Sequence, residues 1–541
     1  MRKWKFQSSQ FHRKFGFPDS IMKFSKKRGA IAAGDEYTAQ AGYEILKAGG
    51  NAFDAALAAT LMSFVASSSI TSMGGGGFML ARTSGGKVHY FDFFTQTPLF
   101  KKRSEKIEFF PILVDFGDKT QEFHVGMGTA ATPGNLAGIF RIHEQFGSVP
   151  LYEIANPAIT AAREGVSLHT QTKYQADILR PIFELSSEGK QIYFTGDHVK
   201  SIGEKIKLPL YADFLEYISR EGPGEFYLGE IARKISEACE QHGGHLTRED
   251  LMNYKVEERL PIQFNYRGFD IFTTSPPNAG GPLIAFTLSL LDRFSLQDVK
   301  WGSGKYLSLL AHSIEATTLA RKQIFENDMY RQDILDQMIN PEYLDIHFES
   351  IKKRISKPGN TTHVSVIDES MNMVSITTSV GEGCGYYIPD THIMLNNMLG
   401  EEDLNPRGFH KWEEDKRIPS MMSPTMVTKE GVPVATMGSG GSNRIRSAIV
   451  QTISNYIDFH MNPDDCVNMP RIHWEKNHLD IEPGFDLDIT ERLVLPVGGE
   501  KIYWTAKNMY FGGVHAVFVD QKGHIIPAGD RRRVGAVRIL D

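Results

Sequence analysis

The sequence predicts an α+β fold in which two β-sheets pack face to face between layers of helices. Three observations support this prediction: helical segments and loops alternate through the first half, strand-like segments gather around residues 361–379, and the C-terminal part mixes both types. The chain has 541 residues, of which 41% are hydrophobic and 23% charged, so it can bury a large core. Sheets covered by helices are a stable way to bury the apolar faces of such elements.

The first elements are a short strand and two helices. Small residues at 29–33 predict the strand, and a helix is expected from Thr38 to Ala48, where a pair of glycines ends it. Asn51 is suited to cap a second helix at 52–64. Because this second helix is apolar on nearly every side, we expect it to be buried.

Four consecutive glycines at 74–77 lead into a predicted hairpin with strands at 77–83 and 87–94. A glycine run can hold a phosphate when it follows a strand, precedes a helix and is joined by a lysine. Here a strand follows, with no helix or lysine directly after the run. Close packing of the backbone under the hairpin is therefore the better interpretation, and a nucleotide-binding module is disfavoured.

The middle of the chain is predicted to be helical up to a charged segment. Helices and loops alternate over 151–241, an apolar helix ends at Leu291, and an amphipathic helix covers 306–327. Residues 328–356 are charged without strong periodicity, so they are predicted to form a linker.

The functional prediction depends on the stretch from 357 to 385. Pro-Gly-Asn at 358–360 is a turn signal, and the alternating β-branched residues that follow predict a strand. A turn at 369–372 and a partner strand at 373–379 complete a hairpin.

Thr361 stands at the start of this hairpin. Its hydroxyl could attack the Asn360 carbonyl in an N→O acyl shift, and hydrolysis of the resulting ester would cut the chain there. The freed α-amine of Thr361, with an unperturbed pKa of about 8, could then act as general base for the same hydroxyl. On the local sequence alone, an ordinary strand start is the simpler interpretation.

Several motifs resemble, in their order, those of the γ-glutamyltransferase family, whose members are N-terminal-nucleophile hydrolases that cleave themselves before a threonine. The motifs are N-T-T-H-V-S-V-I-D, L-N-N, P-S-M-M-S-P-T and G-S-G-G-S-N-R, and the resemblance extends from about Gly29 to the C-terminus. It implies the family's four-layer αββα sandwich. It also implies an N-terminal extension at 1–28, a large-subunit part at 29–360 and a small-subunit part at 361–541, with both parts forming one fold.

The resemblance implies that Thr361 is the catalytic nucleophile. Ser379 occupies the position of a family threonine whose hydroxyl bonds the nucleophile, and serine keeps that hydroxyl. Three positions depart from the family pattern where it recognises glutamate. Gly381 replaces an Asn, Met398 replaces a Gln, and Met421 replaces the second of two adjacent serines.

A glycine pair, Gly440 and Gly441, is predicted to form the oxyanion hole. The pair precedes a helix predicted at 444–459, which Ser442 could cap. Amide groups at the start of a helix favour negative charge, because the helix dipole lies behind them. Such amides can stabilise the tetrahedral oxyanion of acyl transfer, although a simple tight turn is the alternative interpretation.

Three elements are predicted to bind the substrate's head group. An ungapped count from Asp92 places Arg103 where the family has its carboxylate-binding arginine, and a guanidinium binds a carboxylate through two hydrogen bonds. An acid at 401–403 is predicted to bind the α-amine; the count favours Glu401, and Asp403 is a further candidate. Ser420 matches a family serine that binds the substrate carboxylate. Solvated charged surface is the alternative interpretation of the basic run and the acidic loop.

The resemblance therefore implies a self-processing γ-glutamyltransferase, or glutathione hydrolase, that needs no metal or organic cofactor. Thr361 would attack the γ-glutamyl amide of glutathione or a related small molecule, and water or an amine would resolve the ester. Because the glutamate-recognising positions are altered, an acylase for a glutaryl-type side chain, as in cephalosporins, or for another amide is an alternative. An unprocessed, inactive relative acting as a binding protein is a second one, although the intact Thr361, Ser379 and glycine pair count against it.

Charge and cysteine content bear on partners and compartment. The net charge of −6 argues against binding to nucleic acid or to a membrane surface. The absence of any run of about 18 apolar residues argues against a membrane span. Cys239, Cys384 and Cys466 lack metal-binding spacing, and the basic, aromatic N-terminus lacks the apolar core of a signal peptide. We therefore expect a cytoplasmic protein. The resemblance to the family implies that it forms two chains from one precursor.

Overall fold

The computed structural model describes residues 28–115, 120–326, 328–331, 333–350, 361–475, 477–496 and 498–540. Within them, thirteen strands build two main sheets: β1 (Gly29–Ala33), β2 (Gly76–Arg82), β3 (Val88–Phe93), β4 (Glu257–Arg259), β5 (Ile262–Tyr266), β6 (Phe269–Thr273), β7 (Thr362–Asp368), β8 (Met373–Ser379), β9 (Thr425–Lys429), β10 (Val432–Gly440), β11 (Gly513–Val519), β12 (Ile525–Ala528) and β13 (Ala536–Leu540). Shorter strands pair outside these sheets: Phe110–Asp115 with Thr120–Val125, Val166–Ser167 with Lys205–Ile206, Phe194–Thr195 with His198–Val199, Tyr387–Ile388 with Ile393–Met394, and Ile472–Glu475 with His478–Ile481 and Glu500–Tyr503.

The helices of the described residues are α1 (Glu36–Lys47), α2 (Ala52–Ala66), α3 (Asn135–Phe146), α4 (Leu151–Glu164), α5 (Thr170–Ile178), α6 (Arg180–Phe183), α7 (Ser187–Tyr193), α8 (Pro209–Glu221), α9 (Gly224–Tyr227), α10 (Glu230–Gln241), α11 (Arg248–Asn253), α12 (Gly280–Asp292), α13 (Gly304–Ala320), α14 (Ile334–Met338), α15 (Pro341–Ser350), α16 (Arg444–Ile457), α17 (Pro463–Asn468) and α18 (Leu487–Glu491). None of them is both long and apolar enough to cross a membrane.

The two sheets pack against each other between helical layers. Sheet I has the strand order β4-β3-β2-β8-β7-β1-β13, and sheet II has the order β5-β6-β9-β10-β11-β12. Helices α1 and α2 cover the outer face of sheet I, while α12 and α16 cover the outer face of sheet II. This is the sandwich of two sheets between helices that the sequence pattern predicted, and specifically the four-layer αββα arrangement that the family resemblance implied.

Side-chain alternation in β7 explains how sheet I is buried on both faces. Val364 and Val366 belong to the apolar core shared with α1 and α2. His363 and Ser365 point to the other face, where the Ser365 hydroxyl donates to the carbonyl of His515 in sheet II. Burial on two faces requires this mixture of apolar and hydrogen-bonded polar residues, because buried polar groups need partners.

The local predictions for the N-terminal half and for the hairpin are confirmed. Asn51 caps α2 by accepting from the amides of Phe53 and Asp54. The hairpin of β7 and β8 turns at 369–372, with Ile367 opposite Met373. The glycine run at 74–77 is closely packed, since a Cβ at Gly75 would lie 2.0 Å from the Ser379 carbonyl oxygen.

Two predictions about segments need correction. Residues 328–356 were predicted to be a linker, yet α14 and α15 form there and pack against α12. Because tertiary contacts stabilise these short helices, they can form without a strong periodic pattern in the sequence. Ser442 was predicted to cap the helix at 444–459, but the N-cap residue of α16 is Asn443.

Candidate active site

Thr361 lies directly before β7 and is buried, with 3% of its surface exposed. Its carbonyl oxygen accepts a hydrogen bond of 2.9 Å from Arg533 Nη1. The backbone of Gly440 lies close to the same oxygen, because a Cβ on Gly440 would stand 1.8 Å from it. The C-terminal part of the chain therefore holds Thr361 from two sides. Asn360, the other side of the predicted cleavage point, lies outside the described residues.

Thr361 faces a pocket that we call the threonine pocket. It contains about 290 Å³ of space, part of it open to solvent. Its walls are mainly apolar, with several hydroxyls and one acid: Phe94, Thr361, Ser379, Met398, Glu401, Leu404, Ser420, Met421, Met422, Ser442 and Ile445. A second cavity of about 340 Å³ also touches Thr361, on the side of Gly440 and Arg533.

Ser379 is the last residue of β8 and lines the same pocket. The hairpin register pairs Thr362 with Thr378, so its continuation places Ser379 opposite Thr361. The Ser379 Oγ accepts a hydrogen bond of 2.9 Å from the Gly381 amide. This bond leaves the hydroxyl proton to be donated elsewhere, as a partner of the nucleophile would require.

The glycine pair lies between the end of a strand and the start of α16, so its predicted place before a helix is confirmed. Gly440 is the last residue of β10 and pairs with Gly513 of β11. Gly441 follows with φ of +121°, a conformation that favours glycine. The proximity of Gly440 to Thr361 remains, and the oxyanion role of both glycines stays a prediction.

Three buried carboxyl groups interact with one another at or near the pocket. Glu401 lines it, and burial, followed by the charges of Glu382 and Asp403, raises the pKa of Glu401 well above its ordinary value. Burial likewise raises the pKa of Glu382. Burial raises the pKa of Asp403 to about 7, although Arg321 and a hydrogen bond from Ser442 oppose the shift. Buried acids this close together resist simultaneous ionisation.

The absence of a side chain at Gly381 leaves space for Glu401 and Asn397. Gly381 has φ of +69°, and a Cβ there would lie 2.1 Å from Asn397 Oδ1 and 2.2 Å from Glu401 Oε1. Asn397 Oδ1 also accepts from the amide of Glu382 at 3.0 Å. A side chain at position 381 would therefore displace both neighbours.

A family model described as Gamma-glutamyltranspeptidase matches residues 38–540 of the chain. The chain belongs to this family.

Relatives of this γ-glutamyltranspeptidase family member are enzymes with more than one activity. The glutathione hydrolase proenzyme of Escherichia coli strain K12 is 30% identical over 544 residues, covering 94% of this chain and 91% of that protein. The acylase ACY 1 proenzyme of Pseudomonas sp. strain SE83 is 27% identical over 531 residues, covering 94% and 93%. The crystal structure of a cephalosporin acylase from Bacillus halodurans has a TM-score of 0.83 at 24% identity, covering 97% of this chain and 98% of that one. This last likeness shows the shared N-terminal-nucleophile hydrolase fold.

The structure brings most of the predicted site residues of this family member together, with two exceptions. Ser420 lines the pocket, where its Oγ accepts from the Met422 amide at 3.2 Å. Asp403 lies behind the wall and accepts from the Ser442 hydroxyl at 2.6 Å. Arg103 is exposed and is not among the pocket-lining residues of the described chain. Its contact with substrate therefore stays a prediction.

Two residues of the site were not found from the sequence. The sequence analysis did not identify Glu382, although an acid between two glycines in G-E-G-C-G is a signal that could have been followed. Arg533 reaches Thr361 across 172 positions of sequence. A run of three arginines near the C-terminus gives no local indication of which one is buried against the nucleophile.

Proposed function

We propose that this protein cuts its own chain before Thr361 and then transfers γ-glutamyl groups, from glutathione or a related compound, to water or to an amine. One observation carries the proposal: a buried threonine directly before a central strand faces a pocket that Ser379 and an acid also line. The similarity to glutathione hydrolase proenzymes over nearly the whole chain supports it.

In the proposed processing step, the Thr361 hydroxyl attacks the Asn360 carbonyl carbon. The peptide C–N bond breaks as the ester C–O bond forms, and the proton of the hydroxyl passes to the departing amine. Water then hydrolyses the ester, leaving a carboxylate on Asn360 and a free α-amine on Thr361. The hydrogen bond from Arg533 to the Thr361 carbonyl supports this step, because it fixes the attacking residue.

In the proposed turnover, the α-amine of Thr361 removes the proton of its own hydroxyl, which attacks the donor's amide carbonyl. The amides of Gly440 and Gly441 stabilise the oxyanion, and Ser379 bonds the nucleophile. The leaving amine takes the proton, and a γ-glutamyl ester remains on Thr361. Water or an acceptor amine then attacks the ester carbonyl. Thr361 leaves as the free hydroxyl, and glutamate or a γ-glutamyl amide is released. No metal or organic cofactor takes part in these steps.

The two parts of the chain would form one enzyme after cleavage, acting on small molecules. We further propose a cytoplasmic location. Cys239, Cys384 and Cys466 are all buried free thiols, which supports a reducing compartment.

Processing is tested by denaturing gel electrophoresis and N-terminal sequencing of the purified full chain. We expect two pieces, with the smaller one beginning Thr-Thr-His at Thr361. Thr361→Ala should remain whole and inactive, while Thr361→Ser, which keeps a hydroxyl, should process slowly. A single band near the 60.7 kDa of the full chain in the natural protein would instead favour the inactive binding protein.

Turnover is tested with γ-glutamyl and glutaryl p-nitroanilides on the processed enzyme. Mass spectrometry of the small piece in a rapid quench should detect the acyl ester on Thr361. Turnover of the γ-glutamyl donor with an ester on Thr361 supports the proposal. Exclusive turnover of the glutaryl donor would make the acylase alternative correct.

A further inference from the structure

The second cavity that touches Thr361 lies outside the threonine pocket, and we call it the arginine cavity. It contains about 340 Å³ of space, part of it open to solvent, and it shares Thr361 alone with the threonine pocket. Most of its lining residues have polar side chains, and none of those in the described chain is an acid. Arg533 supplies its permanent positive charge. The two cavities beside Thr361 therefore differ in charge, because the threonine pocket is lined by Glu401.

Arg533 lines this cavity as a buried cation, with 4% of its surface exposed. Its Nη1 donates to the Thr361 carbonyl at 2.9 Å, and its Nη2 makes a longer bond of 3.4 Å to the Met509 carbonyl. Its Nε is buried and has no hydrogen-bond partner in the part of the chain that the structure describes. Buried charges are normally paired with an opposite charge, and buried donors normally have an acceptor. Arg533 therefore has the capacity to bind an anion.

The acid that acts electrostatically on Arg533 is committed to other arginines. Asp530 is paired with Arg471 at 2.7 Å and with Arg532 at 3.1 Å. Burial, followed by the charge of Arg444, lowers the pKa of Arg533 to about 10, and Asp530 only partly opposes this shift. The guanidinium still carries its charge at neutral pH, so the positive charge beside the cavity is not fully compensated.

The start of helix α5 adds partial positive charge to the same cavity. His169, the N-cap residue, and Gln171 and Thr172 of the first turn all line it. The first amides of a helix have no intrahelical acceptor, and the helix dipole favours an anion beside them. Gln175, one turn further along, also lines the cavity. Its Oε1 accepts from the Ser69 hydroxyl at 3.3 Å, which leaves its Nε2 to donate.

The donors of the arginine cavity suit a carboxylate. A guanidinium binds a carboxylate through two parallel hydrogen bonds, and Nε and Nη2 of Arg533 form one edge of such a fork. One uncompensated cation matches one negative charge, so a doubly charged phosphate would bring more charge than the cavity neutralises. The small volume restricts the ligand to a short acid, of the size of acetate.

We propose that the arginine cavity is a binding site for a short carboxylate, held by Arg533 and by the amides at the start of α5. An occupant neutralises the cation that holds the Thr361 carbonyl, and thereby supports the position of Thr361. The carboxylate can come from two sources: a short acid in solution, or the group that the proposed cleavage would leave on the residue before Thr361. Covalent geometry places that group, when it forms, within about 5 Å of the oxygen that Arg533 binds.

Calorimetry with sodium acetate tests the site on the full chain carrying Thr361→Ala, which is not cut. Ionic strength is held constant with sodium chloride, and acetamide is the neutral control. We expect acetate to bind with a Kd on the order of 1 mM or lower and to raise the unfolding temperature, while acetamide does neither. The absence of saturable acetate binding would overturn the proposal. So would an effect that acetamide or additional chloride reproduces.

Variants in the same background assign the binding to Arg533. R533K keeps the charge without the fork and should raise the Kd about tenfold, and R533M should raise it at least about 30-fold. R531M neutralises a neighbouring exposed arginine and should leave the Kd within about twofold. Q175L leaves every arginine in place and should raise the Kd about fivefold. It decides the question if neither Arg533 variant folds. Unchanged affinity in a folded Arg533 variant, or failing that in Q175L, would overturn the assignment.

The natural protein identifies the source of the carboxylate. If it is cut and still binds acetate as the Thr361→Ala chain does, the site takes an acid from solution. If it is cut and folded but no longer binds acetate, the carboxylate made by cleavage fills the site. If it is not cut, the proposed function is wrong, whereas acetate binding to both proteins would still support the site. Failure of the Thr361→Ala chain to bind acetate overturns the inference in every case.

Discussion

Replacing Gly440 with alanine tests how Thr361 is held. The new methyl group would stand 1.8 Å from the Thr361 carbonyl oxygen and 3.1 Å from Arg533 Nη1. Real Cβ atoms rarely approach another heavy atom within 3.0 Å, so one of these groups must move by about 1 Å. The oxygen belongs to the backbone of the proposed nucleophile, and it cannot swing aside as a flexible side chain would.

The expected cost has two parts. Loss of the 2.9 Å bond between Arg533 and the Thr361 carbonyl, a bond to a charged donor, corresponds to about 1.5–3 kcal/mol of unfolding free energy. Displacing the nucleophile by about 1 Å should lower the rates of self-cleavage and acylation on the order of a hundredfold. Catalysis should therefore suffer in protein that remains folded.

The assay combines urea unfolding with the rate of self-cleavage and the acylation burst. Gly224→Ala is the matched control, because the structure has no atom within 4 Å of its new methyl group and no positive φ there. It should change neither rate. If Gly440→Ala folds, cleaves and acylates as fast as the natural protein, the close approach to Thr361 does not position the nucleophile, and the reasoning fails.

Two further substitutions follow from the charged groups. Arg103→Ala should raise the KM of the γ-glutamyl donor strongly, and Arg103→Lys should restore it only partly, because an ammonium cannot bind a carboxylate through two hydrogen bonds; an unchanged KM would show that the exposed side chain does not contact the substrate. Asp403→Asn should flatten the pH dependence of unfolding free energy. Burial raises the pKa of Asp403 from 3.8 to about 7, so the folded state prefers the protonated acid, and its contribution is present at low pH and lost as pH rises through about 7. Urea unfolding at pH 5 and pH 8 measures the slope, and an unchanged slope in Asp403→Asn would contradict the assignment.

Helices, strands and turns were predictable from the sequence where neighbouring residues determine them. Local residues determine two of these elements. Asn51 caps an apolar helix, and the turn at 369–372 joins two alternating β-branched segments into a hairpin. The cap of α16 was less certain, because Ser442 and Asn443 are both good capping residues. Both side chains instead donate to Asp403, about 40 positions earlier in the chain, and neither caps α16 through its side chain.

The site was only partly predictable, because its contacts are long-range. Thr361 and Ser379 belong to one hairpin, so counting residues brings them together. The position of Arg103 was inferred by counting along a segment whose loop geometry the sequence does not reveal. Glu382 becomes significant only when the chain returns through Asn397 and Glu401 to enclose it. Whether a carboxyl group is buried depends on such contacts between distant segments. A short stretch of sequence does not reveal them.

The strand order of sheet I determines whether the two pieces would stay together after a break before Thr361. Strands β7 and β8 lie after the break yet are inserted between β1 and β2, and β13 pairs with the outer edge of β1. Neither piece could leave without opening hydrogen-bond ladders on both sides of β1. A nicked molecule would therefore remain one particle through dilution and gel filtration, and the two pieces, made separately, would each expose unsatisfied strand edges. The two pieces would separate only under denaturing conditions. The chain would therefore have to fold before it is cut.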